Sequence, residues 1–225
     1  MSVTVLGGLL VAALAWGALF GLGRAAFWSR AALAGLAIGA YGVVAQRAVI
    51  GELLRPTVVD VAIGVGGAVV LYGIFWAGDR VLRRWLPATA AQVDELYTVR
   101  SVPHSERLPI PAVLLLVGPC EELFWRGLVQ ARAGFVLALA GYAAVHLWER
   151  KAVLIVAAVV GGAFWGGLFA WRGTLVAPIV SHALWDLAVV VWFPFAGARR
   201  RELSTETASD RRRARSSRWR RSRAG

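Results

Sequence analysis

Apolar residues in this chain gather into long blocks, at about 3–23, 31–47, 57–78, 109–129, 134–149, 152–171 and 174–195, separated by short arginine-bearing segments. A helix needs roughly 20 apolar residues to cross about 30 Å of hydrocarbon. The blocks therefore predict membrane spans. The first and sixth are clearest, the second and fifth are short, and the fourth is interrupted by charge. Each span is expected to be helical, because a lone segment in lipid must satisfy its own backbone hydrogen bonds. Glycines inside the blocks, among them Gly64, Gly67, Gly161 and Gly166, suit close helix–helix approach. The pattern predicts an all-α fold, a polytopic transmembrane helix bundle of about seven spans (between six and eight).

Composition supports that class: 58% of the 225 residues are hydrophobic, against roughly 45–50% for a soluble domain. The first block lacks a positive leader and is longer than a signal-peptide core, so it is expected to stay as an anchor. Cys120 is the sole cysteine, which excludes an intrachain disulfide and a cysteine-based metal site.

The net charge of +12 changes the picture less than its size suggests. Eleven arginines lie between Arg199 and Arg223, and most other basic residues sit at span ends. That distribution reads as a positive-inside signal with a tail attracted to anionic lipid headgroups, and no nucleic-acid partner is expected. It predicts a cytoplasmic C-terminus and, with seven spans, an N-terminus outside. The arginine- and alanine-rich composition points to a bacterial plasma membrane. The stretch 87–108, with Asp94, Glu95, Arg100, His104 and Glu106, reads as a cytoplasmic connector carrying a short surface helix.

Six ionisable residues interrupt or end apolar blocks. Glu121, Glu122 and Arg126 lie in the fourth, His146 ends the fifth, and His182 and Asp186 lie in the seventh. A charge at mid-bilayer costs at least about 2.5–3.5 kcal/mol, so such residues are usually paired and functional. Glu122 and Arg126 are four apart and share a helix face, whereas Glu121 is rotated about 100° away. The expected division is Glu122 as partner of Arg126, with Glu121 free for chemistry. His182 and Asp186 also share a face. With turns near Ala133-Gly134 and Arg172-Gly173, and about 1.5 Å of rise per residue, Glu121 and His146 lie roughly 18–20 Å from one turn. His182 and Asp186 lie about 14 and 20 Å from the other. Both turns fall on one membrane face, so residues from three helices share one layer.

A buried carboxylate with two imidazoles can activate water for attack on a carbonyl. Alternatively Glu121, His146, His182 and Asp186 could hold a divalent metal, zinc for example, with an open position. The residues alone leave the cofactor as none or such a metal. A proton- or ion-coupled transporter also uses intramembrane Glu, Asp and His, and a catalytically inactive membrane interaction or immunity protein is a third class.

Glu121-Glu122-x-x-x-Arg126, Tyr142-x-x-x-His146 and His182-x-x-x-Asp186 together resemble the three motifs of the CPBP family, the CAAX-protease and bacteriocin-processing (Abi) intramembrane endopeptidases. The resemblance covers about 109–195. It implies an intramembrane endopeptidase in which Glu121 and His146 activate the hydrolytic water, Glu122 and Arg126 support the site, and His182 with its i+4 partner stabilises the oxyanion. The implied substrate is a membrane protein or lipidated peptide. Two positions depart from the pattern: Tyr142 stands where Phe is usual and Asp186 where Asn is common. Ionised Asp accepts but cannot donate a hydrogen bond, so orienting His182 or binding a metal is the role that fits it. The resulting division is N-terminal transmembrane helices over 1–86, the connector over 87–108, a catalytic four-helix core over 109–195 and a disordered arginine-rich tail over 196–225.

Overall fold

The computed structural model describes residues 2–22, 26–97 and 110–195. Arg24, Arg100, His104, Glu106 and the arginine tail lie outside the described residues. All elements through Phe193 belong to one unit. The described residues contain helices and no strand.

Helix α1 spans Val3–Gly21 and begins at Ser2, whose hydroxyl accepts from the Val5 amide. Helix α2 (Phe27–Ala45) starts four residues before the apolar block that predicts it. The reason is Arg30, whose guanidinium reaches the Leu19 carbonyl at 3.5 Å, so its charge does not end the helix. After the short α3 (Ile50–Leu53), α4 runs over Val58–Trp85, past the predicted end near 78. Asp79 and Arg83 pair at i,i+4 across 2.8 Å, and Arg83 also meets Asp94 at 3.0 Å, which lets the helix carry its charges onward. Asp94 belongs to α5 (Pro87–Leu96), the short helix expected in the connector. It buries Ala90 and Val93, so it packs on the bundle rather than lying free on the surface.

The remaining helices carry the polar layer. Helix α6 (Ile110–Phe124) continues through a π-helical turn, Trp125–Gln130, and a last turn, Ala131–Ala133. Pro119 lies inside α6 and has no amide hydrogen for the preceding turn. Helix α7 (Phe135–Val145) ends in a 3-10 turn over His146–Glu149. Helix α8 spans Ala152–Arg172, and α9 (Val176–Leu187) ends in a second π-helical turn, Ala188–Trp192. Chain reversals fall at Gly134 (φ +88°) and Gly173 (φ +69°), where the sequence places them. Positive φ is open to glycine because it lacks a Cβ.

Among the described residues four helices, α1, α2, α4 and α8, are long and apolar enough to cross a membrane. Two shorter apolar stretches, Phe135–Glu149 and Val176–Trp192, accompany them. The surface is inverted relative to a water-soluble protein: Val3, Val69 and Val136 are exposed, while Asp60, Glu122 and Arg126 are buried. This is an integral membrane helix bundle.

Close helix pairs bring the site together. Helix α2 packs along α6, and α4 along α9. A Cβ on Gly39 would lie 2.6 Å from the Cys120 sulfur, and one on Gly42 would lie 2.8 Å from the Leu123 carbonyl oxygen. Glycine on α2 therefore lets the α6 backbone approach at Cys120–Phe124, the stretch holding both glutamates. Gly64 does the same for α4, where a Cβ would lie 2.7 Å from Cβ of Val180.

One segment, 46–57, ties together the ends of several helices. The Gln46 amide group hydrogen-bonds the Gly127 carbonyl, and Arg132 donates to the Gln46 side-chain oxygen at 2.7 Å. The Leu175 amide donates to the Leu53 carbonyl at 2.8 Å, and Arg172 meets Asp60 at 2.7 Å. Both reversals therefore lie on the same side of the bundle. On the other side, Lys151 at the start of α8 pairs with Glu95 of α5 at 2.8 Å.

Candidate active site

Helix α6 presents its two adjacent glutamates differently. Glu122 is fully buried, and its Oε1 accepts from Arg126 at 3.0 Å. The i,i+4 pair expected from the spacing is thus present. The same Oε1 also accepts from Nδ1 of His182 at 2.8 Å, joining α6 to α9. A buried ion pair persists only where its remaining polar atoms are met. Arg126 meets this condition by donating to the Gly162 carbonyl at 2.9 Å, with its guanidinium 4.9 Å from the Tyr142 ring centre and 5.7 Å from that of Trp165. Glu121 is also buried, and its Oε2, like that of Glu122, meets no hydrogen-bond partner among the described residues.

Both imidazoles are fixed through the same nitrogen. His146 Nδ1 lies 2.7 Å from the Tyr142 carbonyl, and His182 Nδ1 lies 2.8 Å from the Glu122 carboxylate. Carbonyl and carboxylate oxygens only accept, so the hydrogen sits on Nδ1 in each ring. In the neutral form this leaves Nε2 of each imidazole as the basic nitrogen.

Asp186 makes no hydrogen bond to His182. Its Oδ2 is 3.8 Å from His182 Nε2, beyond hydrogen-bond reach. The orienting role that the sequence offers to Asp186 falls to Glu122, because helix packing brings α6 closer to the imidazole than the residue one turn along α9.

Glu121, His146, His182 and Asp186 line one cavity of about 530 Å³. Its walls are largely apolar, with Trp16, Phe20, Trp28, Trp148, Trp165 and Trp185 among them. It reaches from Glu121 and Asp186 to Glu95 and Glu149 beside α5. The shared layer expected from helix depth is therefore one lined space. No three His, Cys, Asp or Glu side chains among the described residues are arranged to hold a metal ion. The set Glu121, His146, His182 and Asp186 does not fit a metal in this arrangement.

Residues 103–188 match the family model described as type II CAAX prenyl endopeptidase Rce1-like. This segment is Rce1-like. The comparison agrees with the resemblance of the three motifs and supports a CAAX-type intramembrane protease as the general class. The chain is also similar to the uncharacterized protein YpbD of Bacillus subtilis (strain 168), at 26% identity over 142 residues, covering 59% of this chain and 72% of that protein. No solved structure matches significantly.

The walls around the Rce1-like segment include residues that motif reading misses. Trp16 and Phe20 of α1 lie outside the matched residues, yet their rings stand 6.3 and 6.5 Å from that of His146. Trp165 lies inside the Rce1-like segment but belongs to none of the three motifs, and its ring stacks on His182 at 3.6 Å. A tryptophan in an apolar block carries no sign of its neighbour. The only hint for Trp165 is Gly161 one turn before it, which leaves room for a large ring.

Proposed function

We propose that this protein is an intramembrane endopeptidase that hydrolyses a peptide bond of a membrane-associated protein or lipidated peptide, using water activated by Glu121 and His146. The observation that carries the reading is the unequal treatment of the two glutamates. Glu122 spends Oε1 on Arg126 and His182 and is not among the residues lining the cavity, while Glu121 lines the same cavity as both imidazoles.

In this reading Glu121 removes a proton from water while His146 Nε2 accepts that water's second hydrogen bond. The water oxygen bonds to the scissile carbonyl carbon, and the carbonyl electron pair moves to oxygen. His182, as an imidazolium, donates Nδ1–H to Glu122 and Nε2–H to that oxyanion. Collapse breaks the C–N bond, and Glu121 returns its proton to the departing amine. The products are a carboxylate and an amine. The fixed Nδ1–H of His146 keeps its Nε2 available throughout. The apolar walls support an apolar substrate segment at the cavity.

The test is cleavage of a membrane-derived peptide library by purified protein in detergent, comparing wild type with Glu121→Gln, each with and without chelator. Cleavage by wild type that disappears in Glu121→Gln supports the reading. Equal cleavage by both proteins overturns the assignment of Glu121. Chelator sensitivity overturns the metal-free route. If wild type cuts nothing while moving protons or ions across liposomes, the transporter reading takes its place.

A further inference from the structure

We infer that Trp165 is a positioning residue for His182, fixing the imidazole by stacking rather than by touching the reacting atoms. The inference deepens the proposed reaction and rests on it for the catalytic consequence, while its structural half stands on geometry alone.

The stack is flat. The Trp165 and His182 ring centres are 3.6 Å apart with planes 16° from parallel. The rings around His146 are different: Trp16, Tyr142 and Phe20 meet it at 68°, 67° and 50°. His182 is therefore covered across a whole face, and His146 is met by edges and tilted rings.

Trp165 is itself held. It is 2% exposed, and its indole N–H donates to the hydroxyl of Ser181 at 3.3 Å. Ser181 directly precedes His182 in α9, so indole and imidazole are referenced to the same stretch of backbone. A Cβ on Gly161 would lie 2.9 Å from the indole ring, so the ring occupies the space that glycine leaves one turn earlier in α8. Trp185 adds an edge contact at 5.6 Å.

The imidazole also meets α6, where a Cβ on Gly118 would lie 3.4 Å from Cγ of His182. Close packing by α8 and α6 opposes rotation of the ring about its Cβ–Cγ bond. That rotation matters here. A half-turn puts Cδ2 where Nδ1 meets Glu122 and Cε1 where Nε2 lies near Asp186, so the hydrogen bond to Glu122 is lost. Trp165 thus maintains the direction that the Glu122 hydrogen bond selects.

The test uses the full chain in detergent with nitrogen-15-labelled histidine. There are only three histidines, His104, His146 and His182, so each can be assigned by substitution. In wild type, His182 should show a single Nδ1–H state. Trp165→Leu should give exchange-averaged ring nitrogens at His182 alone, while Trp165→Phe, which restores an aromatic face, should recover the wild-type pattern. On a cleaved peptide, Trp165→Leu should lower kcat by about 10- to 100-fold with KM unchanged, the scale of a misplaced catalytic group. Gly161→Ala, which displaces the indole without changing it, should reproduce the His182 signature and serves if Trp165→Leu does not fold. Wild-type His182 signals in both Trp165→Leu and Gly161→Ala would overturn the inference. So would changes at His146 as large as those at His182, which mark general loosening. If wild type cleaves no peptide, the peptidase reading fails by itself, and the spectra still decide whether Trp165 positions His182.

Discussion

His182 Nδ1 donates to Glu122 Oε1 across 2.8 Å, joining helices whose contacting residues are sixty positions apart in the chain. The bond couples the support of the site to its fold, because the same oxygen also takes the Arg126 guanidinium.

Arg126→Ala should therefore destabilise the protein by about 3–5 kcal/mol, since it leaves the fully buried Glu122 carboxylate without its cation. Arg126→Lys should recover only part of that loss, because an ammonium lacks the fork that spans Glu122 and the Gly162 carbonyl. Thermal unfolding in detergent measures both; a midpoint for Arg126→Ala equal to wild type would show that the pair does not support the fold.

Glu121→Gln should behave in the opposite way. It keeps side-chain size and removes only the charge of a carboxylate whose Oε2 has no partner among the described residues. Cleavage should fall by about 10²–10⁴-fold, the usual contribution of a general base. Unfolding should stay within about 0.5 kcal/mol of wild type, as for substitutions that break no pairing. Loss of folding together with activity would mean that Glu121 holds the bundle together.

Asp186→Asn tests the fourth member of the layer. At 3.8 Å from Nε2, Asp186 makes no hydrogen bond to His182, so the change should leave the Nδ1–H state of His182 intact. An amide can donate to an oxyanion where an ionised carboxylate cannot, so cleavage should be retained or increased. A loss as large as that of Glu121→Gln would show that the carboxylate of Asp186 takes part in the reaction.

Gly39→Ala should loosen the α2–α6 contact. The added methyl would meet Cys120 Sγ at 2.6 Å and Cβ at 2.8 Å, a clash expected to cost about 1–3 kcal/mol. Cys120→Gly removes both atoms, so the double variant should recover stability relative to Gly39→Ala alone. Additive losses in that double-mutant cycle would show that the two positions do not meet.

Much of this architecture is legible in the sequence because membranes simplify it. Apolar blocks mark the helices, glycines mark the reversals at 134 and 173, and rise per residue places the polar side chains at a common depth. The Glu122–Arg126 pair follows from helix periodicity alone. What periodicity cannot supply is the angular facing of one helix toward another. That is why the partner of His182 is a glutamate on α6 rather than Asp186 one turn along its own helix. The same limit hides Trp16, Phe20 and Trp165, whose positions depend on helix packing and not on local pattern. The extended ends of α2 and α4 reflect side-chain pairings at Arg30 and Arg83, which a count of apolar residues reads as stops.

The segment 46–57 has a consequence for where this machine begins. The comparison with Rce1-like proteins starts at residue 103. Yet Gln46 and Leu53 hold the far ends of α6 and α9, and Gly39 seats the helix that carries both glutamates. The border of the Rce1-like match therefore runs through the middle of a mechanical whole. A fragment cut at that border would keep every motif residue and lose the frame that aims them.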